Sequence, residues 1–192
     1  MANLGSGGGG VTGPAIAVVT TAGAGGFWAP TVFDPEDAST AAVVTTVANQ
    51  VKVHQFVLPF RIGIGKCTIE VTTAEAGMNV VAGFYDSSGN KLVQTDGMTT
   101  AAAAPTFVQD SFTAYVLEPG VYFYAYSCDG TTAQCRHLNT DLGSSAASFM
   151  NQGTATRIGT AANAMAALVL PATLGAITTV ATQDAMITYW EV

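Results

Sequence analysis

Three tyrosines at alternate positions are the residues of this sequence best suited to binding chemistry. Tyr122, Tyr124 and Tyr126 alternate with apolar residues. Side chains two positions apart on a β-strand share a face, so we expect the tyrosines to lie together. Such a row can stack on a sugar, form a subunit interface, or fill a half-buried face of a sandwich. All three interpretations stay open, and Trp28 and Trp190 are further candidates for stacking on a sugar.

The residues that could perform catalysis are few and scattered. His54 and His137 are the candidate imidazoles. Neither has a serine, cysteine or acid at the spacing of a known nucleophile motif. No two acids form a pair on one strand face, as glycoside hydrolysis requires. Glu36 and Asp37, beside Pro35, are expected to cap a surface turn. The sequence therefore predicts no catalytic residue.

The three cysteines do not form an even set, which argues against a disulfide framework. Cys128 and Cys135 are close enough in sequence to bridge a loop, whereas Cys67 lies in a strand-like run. Because thiols stay reduced in a cytoplasm, we expect three free or buried thiols, with a Cys128–Cys135 bridge as the alternative. Zinc is not expected, because no second Cys or His pair completes the cluster of these two cysteines and His137.

Two further stretches lack the patterns of ligand loops. The turn 86–90 is rich in oxygen ligands but lacks the acidic spacing of a calcium loop. Residues 5–10 are rich in glycine, but the Lys-Ser or Lys-Thr that ends a phosphate loop does not follow them. We expect neither a metal nor a cofactor.

The composition excludes several classes of partner. Only 10% of the residues are charged, and the formal net charge is −7. No basic patch large enough to follow a phosphate backbone can be assembled, so we expect no nucleic-acid partner. The amino terminus lacks the pattern of a signal peptide, and no apolar window is long enough to cross a bilayer. We therefore expect synthesis in a cytoplasm and no membrane insertion.

The chain divides by composition into two parts. Residues 1–26 are dominated by Gly, Ala, Thr and Ser, which predicts a flexible amino-terminal arm. Residues 27–192 contain short β runs separated by turn residues, which predicts a single all-β domain, an antiparallel sandwich or jelly roll. Glycine lets two backbones approach closely. The candidate assembly residues of the arm are Gly7, Gly8, Gly9 and Gly10.

Apolar runs and turn residues place the strands. The predicted strand regions are 50–64, 67–72, 79–85, 91–94, 107–117, 121–127, 168–170 and 187–190. Shifts in the apolar phase near His54–Gln55 and beyond Gly65 predict bulges or strand breaks. The turn 86–90 closes a hairpin, with Gly89 and Asn90 expected at positive φ. Helix signals are weak and predict only short helical turns, at 34–37 and 161–168.

Three motifs in the middle of the chain resemble one group of known proteins. The sequence QVKVHQFVLPFRIGIGKCTIEVTT spans residues 50–73, VAGFYDSSGNKL spans 81–92, and LEPGVYFYAY spans 117–126. Together they resemble β-sandwich proteins of tailed-bacteriophage virions, which include fibre, tail-tip and capsid-surface components. The resemblance covers about residues 49–127.

The resemblance implies a non-enzymatic structural or adhesive protein of the virion, on the head or the tail, made in the host cytoplasm. Its expected partners are other virion proteins and further copies of itself, with a trimer as the expected unit. The low charge suits large obligate interfaces, and a Gly-rich arm suits insertion between subunits. A host surface glycan is the expected partner of an adhesive component. The alternative function is a carbohydrate-binding or receptor-binding module that uses an aromatic strand face.

Overall fold

Two antiparallel β-sheets packed against each other form the fold, which confirms the predicted all-β sandwich. The computed structural model describes residues 20–21, 24–29, 38–101, 103–138, 151, 156–180 and 185–192. Within these residues the regular structure is entirely strand, and no helix there could cross a membrane. The strands are β1 (Thr20–Thr21), β2 (Ala24–Ala29), β3 (Ala38–Val43), β4 (Lys52–Leu58), β5 (Ile62–Thr73), β6 (Asn79–Tyr85), β7 (Lys91–Gln94), β8 (Met98–Thr99), β9 (Thr106–Leu117), β10 (Gly120–Cys128), β11 (Gln134–Leu138), β12 (Ile158–Ala161), β13 (Ile177–Thr179) and β14 (Thr188–Glu191).

Each sheet has seven strands in the described part of the chain. Sheet I has the order β1-β2-β14-β5-β11-β3, and β9 pairs with the other edge of β5. Sheet II has the order β13-β12-β4-β10-β6-β7, and β8 also pairs with β6. The chain passes from one sheet to the other repeatedly, so neither sheet can form before distant segments meet.

An aromatic layer fills the space between the sheets. Phe84 lies at its centre, with its ring centroid 4.6 Å from that of Trp190 and 6.0 Å from that of Tyr124. The layer joins sheet II to sheet I, because Phe84 and Tyr124 belong to β6 and β10 whereas Trp190 belongs to β14. Its buried members are Phe27, Phe56, Phe84, Tyr124, Tyr126 and Trp190.

The outer face of sheet II is covered as well. Residues 162–176, which we name the covering segment, lie on this face and bury a second apolar cluster. The Lys91 ammonium donates a hydrogen bond to the Leu170 carbonyl at 2.7 Å, and the Tyr85 hydroxyl donates one to the Pro171 carbonyl at 2.8 Å. The cluster consists of Val51, Val53, Val81, Tyr85, Phe123, Ala125, Ala161, Met165, Leu170 and Leu174.

Several strand predictions are confirmed. Residues 67–72 alternate between buried and half-buried side chains. The register of β5 against β9 shifts between Ile64 and Lys66, which is the bulge expected beyond Gly65. β6 and β7 form the predicted hairpin, and Gly89 in its turn has a φ of 83°.

Two local predictions in these strands are wrong. β4 pairs with β10 without a register shift through His54 and Gln55. The apolar phase changes there because both faces of sheet II are covered, so Val53 and His54 are both buried. Asn90 does not adopt positive φ. Gly89 alone reverses this turn, because the Asp86 carboxylate accepts hydrogen bonds from the N–H groups of Ser88 and Asn90.

The alanine-rich stretch 161–168 is not a helix, and 168–170 is not a strand. Ala161 ends β12 and Ala162 donates a backbone hydrogen bond to the Ala176 carbonyl, so the chain crosses sheet II in irregular form. Burial of apolar side chains in the second cluster outweighs the modest helix propensity of alanine here. A tight turn follows, in which Ala167 and Leu168 have φ values of 49° and 60°.

The boundary predicted after residue 26 falls inside a strand. β2 pairs with β14 along residues 26–29, so the end of the predicted arm belongs to sheet I. The candidate arm residues Gly7, Gly8, Gly9 and Gly10 lie outside the described residues, as does the helical turn predicted at 34–37.

A carboxylate joins two loops at one end of the sandwich. Glu75, between β5 and β6, accepts hydrogen bonds from the backbone N–H groups of Thr131, Thr132 and Ala133 at 3.2, 2.8 and 2.7 Å. These donors, with Thr132 contributing most, lower the pKa of Glu75 from its ordinary value of 4.5. The ionised form is therefore the one that stabilises the fold.

We expect Glu75→Gln to lower the free energy of unfolding by about 1 kcal/mol near neutral pH, because one charged acceptor of three N–H groups is lost at a partly solvated site. The folded-state pKa is depressed, so this stabilisation is present above the unfolded-state pKa of about 4.5 and is lost as the pH falls below it. Urea unfolding at about pH 7 and about pH 3 measures both limits. Glu118→Gln, in an exposed ion pair, is the control; an equal difference at both pH values would contradict this account of Glu75.

Ala167 occupies a conformation that glycine adopts more readily. At a φ of 49° its Cβ is strained, so we expect Ala167→Gly to raise the free energy of unfolding by about 0.5–1 kcal/mol. The neighbouring Ala166, which lacks positive φ, provides a matched control. Ala166→Gly should lower the free energy of unfolding by about 0.5–1 kcal/mol, because only the entropy of the unfolded chain changes. Equal effects of the two substitutions in urea unfolding would rule out strain at Ala167.

Candidate functional site

The tyrosine row of β10 belongs to the core. Tyr124 and Tyr126 are fully buried between the sheets, and Tyr122 is half-buried beside them. The Tyr124 hydroxyl donates a hydrogen bond to the Met186 carbonyl at 3.2 Å, and that of Tyr122 donates one to the Glu118 carbonyl at 2.6 Å. The prediction of a shared face is correct, since all three pack toward sheet I.

The interpretation of Tyr122, Tyr124 and Tyr126 as a sugar-stacking platform is wrong, because Tyr124 and Tyr126 have no open ring face and Tyr122 packs inward against the core beside Phe56. The same burial excludes Tyr124 and Tyr126 from an interface with another chain. Packing accounts for the row. Trp190 is likewise fully buried, so it offers no platform; the side chain of Trp28 lies outside the described set.

The cysteines are thiols held in the core. Cys67, Cys128 and Cys135 are all free and buried. Burial raises the pKa of Cys128 to about 11 and that of Cys135 to about 12, and it raises the pKa of Cys67 well above its ordinary value. The expectation of buried free thiols is confirmed, and the alternative Cys128–Cys135 bridge is not formed. Among the described residues, no three His, Cys, Asp or Glu side chains come together to hold a metal ion.

We expect these thiols to resist modification in the folded protein, because the reactive thiolate is suppressed by burial. A chromogenic disulfide reagent at about pH 8 should titrate none of the 3 cysteines before denaturation and all 3 in guanidinium chloride. The chain without reagent, denatured in parallel, controls for air oxidation. Release of a single thiol equivalent from the denatured chain would reveal a Cys128–Cys135 bridge and contradict the free-thiol assignment.

The histidines are buried in different sheets. His54 lies on β4 and stacks on Tyr126, with ring centroids 6.1 Å apart and planes 6° from parallel. His137 lies on β11, where it bridges to Met186. The structure does not bring the two imidazoles into one open site, and it gives each a position in the packed interior.

Most of the described carboxylates accept hydrogen bonds from structural donors. The Asp129 carboxylate accepts a hydrogen bond from the Asn79 N–H at 2.6 Å, and that of Asp110 accepts one from the Asp96 N–H at 2.6 Å. Hydrogen bonds from Asn90, from its side chain first, lower the pKa of Asp86. A general acid for glycoside hydrolysis requires a raised pKa. Glu36 and Asp37 lie outside the described residues.

The outer face of sheet I carries aromatic and polar side chains in cross-strand rows. Phe107 on β9 is the partner of Glu70 on β5, and Gln109 is the partner of Thr68. On the other side of β5, Tyr189 of β14 is also the partner of Thr68. Cross-strand partners share a face, so these residues form one continuous surface. We name the outer surface of β9, β5, β11 and β14 the sheet I face.

Hydrogen bonds hold the polar groups of the sheet I face in place. The Arg136 guanidinium donates to both oxygens of the Glu70 carboxylate, at 2.9 and 2.7 Å. The Gln109 amide nitrogen donates to the Glu191 carboxylate at 2.9 Å and to the Thr68 hydroxyl at 3.3 Å. The bidentate ion pair is half-buried and has a fixed plane.

The two aromatic rings of the sheet I face differ in setting. Phe107 is 73% exposed, the most exposed large apolar side chain of the described residues. Tyr189 is half-buried and lies across Gly26 of β2, where a Cβ would overlap its ring. Glycine at this position lets the ring lie close against the backbone of the sheet. Both rings therefore belong to the surface of the sheet, not to the core.

Four exposed valines surround one end of the sandwich. Val57 and Val121 are partners on the outer face of sheet II. Val116 is the partner of Gly63 on the outer face of sheet I. The Val192 side chain lies beside the same glycine, where a Cβ would be in van der Waals contact with it. All four are between 42 and 63% exposed. We name this surface, which flanks the turn between β9 and β10, the valine end.

Sequence reasoning missed both surfaces, although a pattern in the sequence could have indicated the sheet I face. In β9, Val108 and Phe112 lie at even-numbered positions and Phe107 and Gln109 at odd-numbered ones. Assigning Val108 and Phe112 to the buried face would therefore have placed Phe107 and Gln109 on the exposed face. No corresponding pattern identifies the valine end, because Val57 and Val192 are far in sequence from Val116 and Val121. No protein-family model and no curated protein sequence matches this chain.

Proposed function

We propose that this chain is a non-enzymatic structural protein of a bacteriophage virion, a component of the capsid surface or of the tail that assembles with copies of itself and with other virion proteins. The motifs that resemble virion sandwich proteins lie in residues 49–127 and include β4, β5 and most of β6 and β10, which belong to both sheets. The resemblance therefore concerns the centre of the fold and not one loop.

The valine end is the observation that carries the assembly role. Exposed valines scattered singly over a surface need no explanation, but here one pair on each outer face flanks the same turn, and association through this end would bury both pairs. The neighbouring charges of Arg61 and Glu118 neutralise each other, with Nε and Oε1 2.9 Å apart. A contact surface of this kind, apolar and with little net charge, is typical of stable subunit interfaces.

The contacts of the described residues support the non-enzymatic part of the proposal. The imidazoles and thiols of the described residues are buried in the core, and the carboxylates of Glu70, Glu75, Asp110 and Asp129 are bound to structural donors. Nucleophilic and acid–base catalysis both need such groups within reach of a substrate.

We expect the double variant Val57→Thr/Val121→Thr to weaken self-association. Threonine keeps the β-branched shape and the strand preference of valine, so the fold should persist while the apolar contact is lost. Light scattering across a range of concentrations should show a defined oligomer for the full chain and a shift toward monomer for the variant. Val169→Thr, at a comparably exposed valine outside the valine end, should leave the mass unchanged. A full chain that is monomeric at every concentration would contradict the proposal.

Deletion of residues 1–19 tests the arm separately, since it removes Gly7–Gly10 and leaves every described strand intact. We expect the truncated chain to fold and to lose part of its assembly. If the truncated chain forms an oligomer of the same number of copies as the full chain, self-association depends on the sandwich surfaces alone, and the proposed role of the arm is wrong.

A further inference from the structure

We propose that the sheet I face binds a neutral oligosaccharide, with Phe107 and Tyr189 stacking on sugar rings and Glu70, Gln109 and Arg136 contacting hydroxyl groups. The inference rests on side chains of the folded chain and not on the virion assignment, so it holds or fails independently of the proposed function.

Phe107 supplies the apolar part of the argument. Burial of a phenylalanine side chain is favourable, and a ring that remains 73% exposed has not realised that free energy within the chain. Its cross-strand partner on β5 is Glu70, so the ring lies beside a polar group on the same surface. An exposed ring beside fixed hydrogen-bonding groups matches a sugar, which has apolar C–H faces and polar edges.

Tyr189 provides a second ring on the other side of β5. The ring lies over Gly26, so one side of it rests on the sheet and the hydroxyl is carried along the surface. Phe107 and Tyr189 are two strands and two residues apart in register, which corresponds to about 12 Å between their Cα atoms. A separation of this size suits a short oligosaccharide chain better than a single sugar.

The polar groups between the rings retain hydrogen-bonding capacity. The Glu70 carboxylate has further lone pairs beyond the two that Arg136 occupies. The Gln109 amide nitrogen is bonded to Glu191 and Thr68, and this fixes the position of the amide oxygen, a ready acceptor of a hydroxyl proton. Because these groups are held before any ligand arrives, little side-chain entropy is lost on binding.

The charge pattern favours a neutral saccharide over a charged one or a protein surface. Glu70 is paired with Arg136, and Lys66 is the register partner of Glu191, so the charges of the face cancel. A sialylated glycan would find no net positive charge. The core of a protein interface is depleted in charged residues, whereas here the charged groups lie beside the exposed ring.

The test is a glycan array probed with the full chain, carrying neutral oligosaccharides of glucose, mannose, galactose and N-acetylglucosamine, with sialylated glycans as comparators. The strongest neutral ligand is then titrated by calorimetry. We expect Phe107→Ser and Tyr189→Leu each to weaken binding about tenfold or more, since one stacking contact is lost in each. Val169→Ser, an exposed apolar residue on the covering segment, should leave binding unchanged.

Three outcomes would overturn the inference: no binding to any neutral oligosaccharide, binding confined to sialylated glycans, or binding that neither Phe107→Ser nor Tyr189→Leu weakens. Light scattering on the same samples identifies the remaining alternative. If Phe107→Ser lowers the mass of the assembly and leaves saccharide binding unchanged, the sheet I face is a contact between copies of the chain. Phe107 is largely exposed, so its replacement should leave thermal unfolding unchanged, and this confirms that the variant is folded.

Discussion

The contact between Phe84 of sheet II and Trp190 of sheet I is the interaction on which the rest of the structure depends. Around it the aromatic layer fills the space between the sheets, and the polar atoms that enter this layer find partners inside it. The Trp190 indole N–H donates to the Thr188 hydroxyl at 2.7 Å, and the Tyr124 hydroxyl donates to the Met186 carbonyl at 3.2 Å. Buried polar groups without partners would be costly, so these bonds allow tyrosine and tryptophan to serve as core residues.

This use of the aromatic residues determines which surfaces remain for function. The tyrosine row cannot face a ligand, and on the other face of β10 Phe123 and Ala125 are buried beneath the covering segment. The carboxylates that might otherwise serve chemistry instead join loops, as Glu75 does at the turn 131–133. Among the described residues, the exposed large apolar side chains include Phe107 on the sheet I face and the four valines of the valine end. We propose that binding uses the first of these surfaces and assembly the second.

Local features of the fold could be predicted from the sequence more reliably than which face of each strand is buried. The alternation at residues 67–72 and the hairpin around Gly89 depend on neighbouring residues, and both predictions are confirmed. Which face of β10 is buried depends on contacts with distant residues such as Met186, more than sixty positions further along the chain. The sequence could therefore show that Tyr124 shares a face with its neighbouring tyrosines, but not that this face is buried. The alanine-rich stretch 161–168 failed as a helix for the same reason, because long-range packing against sheet II decided its conformation.

The most direct test of this account is the solvent accessibility of Trp190. In a Trp28→Phe variant it is the one remaining indole, since the chain has 2 tryptophans. Full burial predicts a blue-shifted fluorescence emission and acrylamide quenching far weaker than in the same variant unfolded in guanidinium chloride. An emission maximum and a quenching constant equal to those of the unfolded chain would show that the aromatic layer does not join the two sheets.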